Sequence, residues 1–230
     1  MKNLVQLIEK YRPEFAQVVD FDPAKDQLMD FDLTANNTAL TSAILNDTLA
    51  FSQWVSHELS QHGAKYGIGG YNEHRTIYSR SEHFDSGEEP RRLHLGIDIW
   101  GPAGTPIYNF YEGKVHSFKF NDNFGDYGAT IILQYELEGV TFFALYGHLS
   151  LDSLTGLFPG KPIASAEQFA TFGIAEENGH WPPHLHLQLI RDMQGFVGDY
   201  PGVCQFSKRP AYLDNCPDPS PVLGLVRNTY

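Results

Sequence analysis

Apolar residues near the start of the chain recur at the spacing of one helix face. Leu4, Leu7, Ile8 and Tyr11 occupy positions i, i+3, i+4 and i+7, which is the period of an amphipathic α-helix. Pro13 comes shortly afterwards and lacks the backbone N–H that a helix interior requires. The pattern therefore predicts a short helix that ends before Pro13.

A second and longer helical pattern runs from about Thr38 to Gly63. Its apolar positions keep to one face and are Leu40, Ile44, Phe51, Val55 and Leu59. Gly63 is a natural C-terminal cap, because glycine adopts the left-handed conformation in which many helices end. The polar pair Asn46-Asp47 interrupts the pattern, so the stretch is either one helix or two helices broken near this pair.

Polar and glycine-rich residues separate this helical part from the remainder of the chain. Residues 64–72 are rich in glycine, and residues 79–92 are polar and without periodicity. Both stretches predict loops. We place a domain boundary between residues 86 and 87, so that residues 1–86 form a helical N-terminal segment with its loop.

After this boundary the period of the pattern changes from 3.6 to 2. Short runs rich in β-forming residues, separated by turn residues, occupy positions 93–100, 106–111, 114–120, 129–136, 140–147 and 184–190. Such runs predict strands, and Glu138-Gly139 between two of them predicts a tight hairpin. Strands that are joined by hairpins, with little helix between them, favour an antiparallel sheet in one or two packed layers.

The predicted fold class is therefore β-rich α+β, with an antiparallel β-sheet core behind a helical N-terminal segment. The β domain covers residues 87–192. Prolines and glycines return in residues 193–230, which predicts an irregular C-terminal tail that lies over this domain or over a second chain. The pattern leaves the oligomeric state open.

Charge narrows the choice of partners. The chain has 230 residues, and its 16 Lys and Arg against 28 Asp and Glu give a net charge of −12, which repels phosphate backbones and anionic membrane surfaces. We expect neither nucleic acid nor a membrane as a partner. No apolar stretch approaches the ~18 residues of a membrane span, and the N-terminus lacks the apolar core of a signal peptide. These features predict a cytoplasmic protein, in which Cys204 and Cys216 are free thiols.

Two short motifs place imidazoles and a carboxylate where they can share a face. His184 and His186 alternate with Leu185, Leu187 and Leu189, so a strand here would bury the leucines and turn both imidazoles to the opposite face. The same alternation puts His94 and Asp98 together on the polar face of another run. Imidazole and carboxylate are ligands that zinc accepts.

Gly96 lies midway between His94 and Asp98. Four residues of straight strand span about 13 Å, whereas zinc lies ~2.0 Å from each nitrogen or oxygen ligand. Glycine adopts bulge and bend conformations that are closed to other residues. We therefore predict a backbone kink at Gly96, and we expect its replacement to damage metal binding.

Three motifs in a fixed order carry a family resemblance. His-x-Gly-x-Asp at 94–98, Tyr-Gly-His-Leu-Ser at 146–150 and Pro-His-Leu-His-Leu at 183–187 resemble the lysostaphin-type zinc endopeptidases, which are also called the β-lytic or LytM-like family. The resemblance covers about residues 93–190. It implies a lysostaphin-like fold with a duplicated hybrid motif.

For the matching positions the resemblance implies a zinc ion held by His94, Asp98 and His186, with His148 and His184 as catalytic imidazoles. Two neutral imidazoles and a carboxylate leave tetrahedral zinc one position for water, as catalytic zinc sites do. Such a site hydrolyses a peptide or peptide-like amide, and a peptidoglycan fragment is one such substrate. The division of roles between His148 and His184 stays open.

Two departures from the family pattern concern the surroundings of the site. The segment Glu176-Glu-Asn-Gly-His-Trp-Pro-Pro183 replaces a glycine- and serine-rich turn, and Gln188 stands where many members have glutamate. The variant segment resembles a cytosolic branch of the family.

Several residues outside the motifs have open roles. His74, Arg75, Tyr78 and His83 precede the first motif and are candidates for a lid or for an extra metal ligand. His180 belongs either to the cleft or to the surface. Two rival functions also stand: a non-hydrolytic binding or scaffold module, and an enzyme that a residue from 73–92 inhibits by occupying the open zinc position.

Overall fold

The computed structural model of the chain describes residues 3–85 and 88–224. The predicted boundary between residues 86 and 87 falls outside the described residues, and the division of the chain into domains stays a prediction.

The first predicted helix is confirmed. Helix α1 spans Leu4–Tyr11 and buries Leu4, Leu7 and Ile8. Asn3 begins it, because its side-chain oxygen accepts a hydrogen bond from the backbone N–H of Val5 at 3.0 Å, which satisfies one of the free donors of the first turn.

The second helical pattern corresponds to two helices, α2 (Ser42–Asn46) and α3 (Thr48–Gln61). The break lies at Asp47, which is extended and whose Oδ1 accepts hydrogen bonds from the backbone N–H groups of Leu49 and Ala50. An aspartate in this position starts a new helix. A fourth helix, α4, spans Arg209–Asn215.

Twelve strands in the described residues form the β part of the fold. They are β1 (Leu28–Phe31), β2 (Tyr66–Gly69), β3 (Leu93–His94), β4 (Ile97–Trp100), β5 (Pro106–Tyr108), β6 (Gly113–Asn121), β7 (Gly128–Leu137), β8 (Val140–Leu149), β9 (Pro162–Ile163), β10 (Gln168–Thr171), β11 (His184–Ile190) and β12 (Val203–Cys204). Eight of them form one sheet in the order β1-β2-β4-β11-β8-β7-β6-β9, while β5 pairs with β10 and β3 with β12. The pairing is antiparallel except between β1 and β2. The predicted β-rich α+β class is thus confirmed.

Local turn chemistry explains two features that the pattern predicted. Glu138 and Gly139 join β7 to β8 with φ angles of +49° and +81°, as a tight hairpin turn requires. The run 93–100 breaks between β3 and β4 at Leu95 and Gly96, so the predicted kink is present.

The interpretation of residues 64–72 as a loop is wrong for Tyr66–Gly69. This segment forms β2, which lies between β1 and β4 and is buried throughout. Gly67 is needed there, since a Cβ atom would lie 2.4 Å from the ring of Phe31. Tyr66 and Ile68 alternate with glycines and not with polar residues, so the sequence lacks the apolar–polar alternation that indicates a half-exposed strand.

Two elements interrupt the predicted irregular tail. Strand β12 pairs with β3, and α4 comes after it. Val203 and Cys204 are both buried, which explains why this stretch is ordered against the sheet. Cys204 and Cys216 are free thiols, as predicted.

The core lies on the face of the sheet that Leu185, Leu187 and Leu189 share, and these leucines are fully buried. Alternation along β11 consequently turns His184 and His186 to the other face. Within the described part of the chain, no helix has the length and apolar character needed to cross a membrane.

Candidate metal centre and catalytic cleft

Three neighbouring elements bring His94, Asp98 and His186 together. His186 on β11 lies directly opposite Asp98 on β4, so the two side chains share one face of the sheet. The break at Leu95 and Gly96 brings His94, at the end of β3, back toward them. All three side chains are buried, and among the described residues they form a cluster of potential metal ligands.

The distances within this cluster match a tetrahedral zinc site. His94 Nε2 lies 2.9 Å from His186 Nδ1, and Asp98 Oδ1 lies 3.1 Å from His186 Nδ1 and 3.3 Å from His94 Nε2. Ligand atoms at bond lengths of ~2.0–2.1 Å in tetrahedral geometry lie about 3.3 Å apart. The donor set therefore fits zinc.

Hydrogen bonds at the outer ring nitrogens fix which nitrogen of each imidazole is free. His94 Nδ1–H donates to the carbonyl oxygen of Gly70 at 2.9 Å, and His186 Nε2–H donates to Gln188 Oε1 at 3.0 Å. These contacts assign the tautomers. In neutral imidazoles, the atoms that face Asp98 Oδ1 are then the lone-pair nitrogens. Together with Asp98 Oδ1 they place three electron-pair donors at contact distance, an arrangement that suits a cation.

Gln188 is held for this task by its amide nitrogen. Gln188 Nε2 donates to the carbonyl oxygen of Pro201 at 3.1 Å and to Cys216 Sγ at 3.3 Å. Its Oε1 must therefore be the acceptor that faces His186. Gln188, which replaces the glutamate of many family members, therefore still provides a hydrogen-bond acceptor for the imidazole of His186.

Arg75 engages the second oxygen of Asp98. Its guanidinium is fully buried and donates from Nη1 to Asp98 Oδ2 and from Nε to Glu73 Oε2, the latter at 2.7 Å. Burial acts to raise the pKa of Asp98, but the electrostatic influence of His94 and Arg75 outweighs it and holds this pKa well below its usual value. Asp98 is accordingly a carboxylate at neutral pH.

His148 and His184 form a second pair of imidazoles in the same cleft. Their ring centroids lie 4.1 Å apart, and His184 also stacks on Trp100 at 3.9 Å. Burial lowers the pKa of His148 well below its usual value and lowers the pKa of His184 to about 4. Both imidazoles are neutral at pH 7.

The variant segment 176–183 supplies the partners of both imidazoles. His148 Nδ1–H donates to the carbonyl oxygen of Asn178, and His184 Nδ1–H donates to that of Pro182, both at 2.7 Å. Each Nε2 is therefore a free lone pair and a proton acceptor.

Asn178 keeps this segment in shape. It is fully buried, its amide nitrogen donates to the carbonyl oxygens of Gly173 and Trp181, and its Oδ1 accepts from the backbone N–H of Trp181 at 3.0 Å. Gly179 comes next with a φ of +80°, and a Cβ there would lie 1.9 Å from the carbonyl oxygen of Asp126. Only glycine permits this close approach.

The site opens into a cavity of about 240 Å³. His148, His184 and His186 line it together with Asp98. The N-terminal part of the chain contributes Tyr78 and Phe84 to its walls, and the C-terminal part contributes Asp199, Tyr200, Pro201, Gly202 and Val203. Residues that precede and residues that follow the predicted β domain thus both line the cleft.

The other candidate residues divide between the cleft and the surface. Arg75, Tyr78 and His83 line the cavity, whereas His74 packs edge-on against Phe206 at 6.3 Å. Arg75 contacts a candidate ligand and is not one itself, because a guanidinium has no lone pair to offer.

His180 belongs to the surface. It is exposed, with a φ of +66°, and stacks on Phe124 at 5.6 Å.

Sequence reasoning missed Asn178 and the carbonyl oxygen of Gly70. Both act through contacts between residues 24 or more positions apart. Gly69 precedes Gly70, and Gly179 follows Asn178. These adjacent glycines are the sequence signal that another part of the chain approaches closely at both places.

Comparison with known proteins identifies the β part of the chain. Residues 92–196 match the model of a family described as Peptidase family M23. This match confirms the resemblance to the lysostaphin-type peptidases over that segment. M23 peptidases depend on zinc, and the cluster of His94, Asp98 and His186 provides a site for it, so zinc is the cofactor. Among curated proteins, none matches the chain.

Solved structures of similar shape include three bacterial proteins. The catalytic domain of the antimicrobial peptidase lysostaphin from Staphylococcus simulans is 21% identical over 70% of this chain and 96% of its own, with a TM-score of 0.41. A zinc-containing peptidase from Vibrio cholerae is 23% identical over 43% of this chain and 27% of its own, with a TM-score of 0.34. Csd3 from Helicobacter pylori is 21% identical over 54% of this chain and 32% of its own, with a TM-score of 0.33. The chain thus spans about a third or less of the last two proteins.

Proposed function

Because residues 92–196 match the model of peptidase family M23, we propose that the protein is a zinc metalloendopeptidase that cleaves a peptide or peptide-like amide. In this proposal His94, Asp98 and His186 hold the zinc ion, and His148 and His184 are the catalytic imidazoles. The observation that carries it is the convergence of three lone-pair atoms within 3.3 Å of one another, beside two neutral imidazoles in one cavity.

When bound, zinc supplies a Lewis acid that polarises the scissile carbonyl and lowers the pKa of a water molecule toward ~7. The protein must then move protons. His148 and His184 each present a free Nε2, because each Nδ1–H is engaged by a backbone carbonyl. One imidazole takes the proton of the attacking water, and protonated imidazole N–H stabilises the negative charge or passes a proton to the departing amine.

Rigid support favours this assignment of roles. Both carbonyl acceptors belong to the segment that Asn178 holds in shape, so the two rings are oriented before substrate arrives. Preorganised groups of this kind need no rearrangement during the reaction. Asp98 and the free nitrogens of His94 and His186 are held as firmly on the metal side of the cavity.

The size of the cavity suits a segment of peptide. At about 240 Å³ it lies below the ~300–1,000 Å³ of typical ligand pockets, so we expect it to accommodate only the residues beside the scissile bond. The match to a peptidase family makes peptidoglycan-type peptides a class to test, alongside ordinary peptides.

The test is a cleavage assay with the zinc-loaded full chain on three sets of peptides: glycine-rich, containing D-amino acids, and ordinary. We expect one set to be cleaved, with turnover lost on chelation and restored by zinc. The matched control is His184→Ala, which should retain zinc and lose turnover. Binding of a peptide without cleavage by the zinc-loaded protein would instead support the non-hydrolytic module, and failure to bind zinc would refute the proposal.

A further inference from the structure

Among the described residues, two hydrogen bonds from outside the segment 92–196 reach the side chains of candidate metal ligands. The carbonyl oxygen of Gly70 accepts the outer N–H of His94, and the guanidinium of Arg75 binds the outer oxygen of Asp98. Both belong to the connection between β2 and β3. This part of the chain, which precedes the family match, therefore touches two of the three candidate ligands.

We propose that Arg75 is a positioning residue of the zinc site, which holds Asp98 by Oδ2 so that the carboxylate offers the metal only Oδ1. The inference rests on the proposed function, in which Asp98 is a zinc ligand.

The guanidinium of Arg75 is fixed by four partners. Nη1 donates to Asp98 Oδ2 and to the hydroxyl of Tyr78 at 3.2 Å, Nη2 donates to the carbonyl oxygen of Gly70 at 3.2 Å, and Nε donates to Glu73 Oε2 at 2.7 Å. The group is fully buried, and a buried charge is tolerated only when it is paired and hydrogen-bonded. Its position is therefore determined on every side.

These contacts use three different nitrogens of one rigid plane. Lysine keeps the charge but has a single nitrogen on a flexible stem. It cannot reach Asp98, Glu73 and Gly70 at the same time. The arrangement thus requires arginine specifically.

Gly69 makes room for the guanidinium. A Cβ atom at this position would lie 2.6 Å from Arg75 Nη2 and 3.3 Å from Asp98 Cβ. The requirement is for space, because the backbone of Gly69 has no left-handed φ. An alanine here would displace Arg75 without removing any charge.

The consequence concerns the number of metal ligands. A carboxylate with both oxygens free can bind a metal through both, which would fill the position that a catalytic zinc site keeps for water. Arg75 occupies Oδ2, and only Oδ1 faces His94 Nε2 and His186 Nδ1. The side chain therefore helps to keep a coordination position open.

The first measurement is zinc affinity, by competition with a coloured chelator. Loss of an outer partner of a metal ligand typically weakens binding ~10–100-fold, and we expect this for Arg75→Lys. The matched control is Arg92→Lys, since Arg92 forms its ion pair with Asp85 and not with the cluster. Unchanged affinity in Arg75→Lys would overturn the inference.

The second measurement is the visible spectrum of the cobalt-substituted protein, because absorbance in this range falls as the coordination number rises from four to five. We expect the full chain and Arg92→Lys to give the intense bands of a four-coordinate site and Arg75→Lys to give weaker bands. Identical spectra at saturating cobalt would contradict the proposal.

A second variant covers the case in which Arg75→Lys does not fold, as checked by circular dichroism. Gly69→Ala keeps every charged group, and we expect it to weaken zinc binding and to reduce the cobalt absorbance in the same direction. If the full chain binds no zinc, the proposed function fails. If the full chain binds zinc and the folded variants match it, only the inference about Arg75 fails.

Discussion

The candidate site contains two pairs of histidines that differ in what their free nitrogens face. In His94 and His186 the free nitrogens point at Asp98 Oδ1, whereas those of His148 and His184 have no carboxylate partner among the described residues. Every one of these rings has its other nitrogen engaged by an oxygen atom. These contacts suit the first pair to the proposed role of metal ligand and the second pair to the proposed role of proton acceptor, and the position of Asp98 is what distinguishes the two pairs.

The largest effect should come from His186→Ala. It removes one of three electron-pair donors and leaves Asp98 without its nearest imidazole, so we expect zinc binding and turnover to be lost together. Metal analysis after dialysis measures the loss. Retention of zinc by this variant would mean that the metal is held elsewhere.

His184→Ala and His148→Ala should distinguish the role of their pair of histidines from the role of His94 and His186. General acid–base catalysis contributes ~10²–10⁴-fold, so we expect kcat to fall by that factor while the zinc content stays near one ion per chain. Kinetics and metal analysis on the same samples measure both. If zinc were lost to the same extent as in His186→Ala, the distinction between ligand and base would be wrong.

Gly96→Ala should weaken zinc binding by the cluster of His94, Asp98 and His186 without deleting a ligand. The added Cβ would lie 2.6 Å from His186 Cε1 and 2.7 Å from the carbonyl oxygen of Leu187. We expect ~10–100-fold weaker zinc binding and a free energy of unfolding lower by ~1–3 kcal/mol, as overpacking produces. Zinc titration and denaturant unfolding test this, and a variant with unchanged zinc affinity would show that the ring of His186 can move aside.

The last prediction is a pH dependence of stability in the metal-free protein. The folded pKa of His184, about 4, lies below its ordinary value of 6.5, so the unfolded chain binds more protons between these two values. Stability is therefore full above about pH 6.5 and falls as the pH drops toward 4, by at most ~1.4 kcal/mol per pH unit for each such group.

Denaturant unfolding at several pH values in the presence of a chelator gives the measurement. The slope should be smaller in His184→Ala than in the unsubstituted chain. A stability that rises on acidification through this range would show that the imidazole is protonated in the folded protein.

Much of this site was predictable because its residues lie on regular elements. Alternation along His184–Ile190 predicts which face carries the imidazoles, and the register opposite Asp98 is set once β4 and β11 pair. The kink at Gly96 is a consequence of the reach of an extended chain. These predictions depend on local geometry, which the sequence encodes directly.

The supports of the site were not predictable in the same way. Arg75 is a charged residue in a polar stretch, and nothing in the sequence around it indicates that it is fully buried against Asp98. Strand β2, with the sequence Tyr66-Gly-Ile-Gly69, has no polar residues to alternate with its apolar ones. The positions of Arg75 and β2 depend on packing between distant parts of the chain. The sequence indicates only that glycines nearby permit a close approach of another segment.

Strand β2 also determines how this protein can be shortened. It covers one side of β4, as β12 covers β3, so a fragment trimmed to residues 92–196 would expose backbone N–H and C=O groups along two short edges. Unpaired edges of this kind recruit other chains and cause aggregation. A shortened chain prepared for expression should therefore retain residues 28–31, 66–75 and 203–204. All three ranges lie outside residues 92–196, the segment that matches the family model.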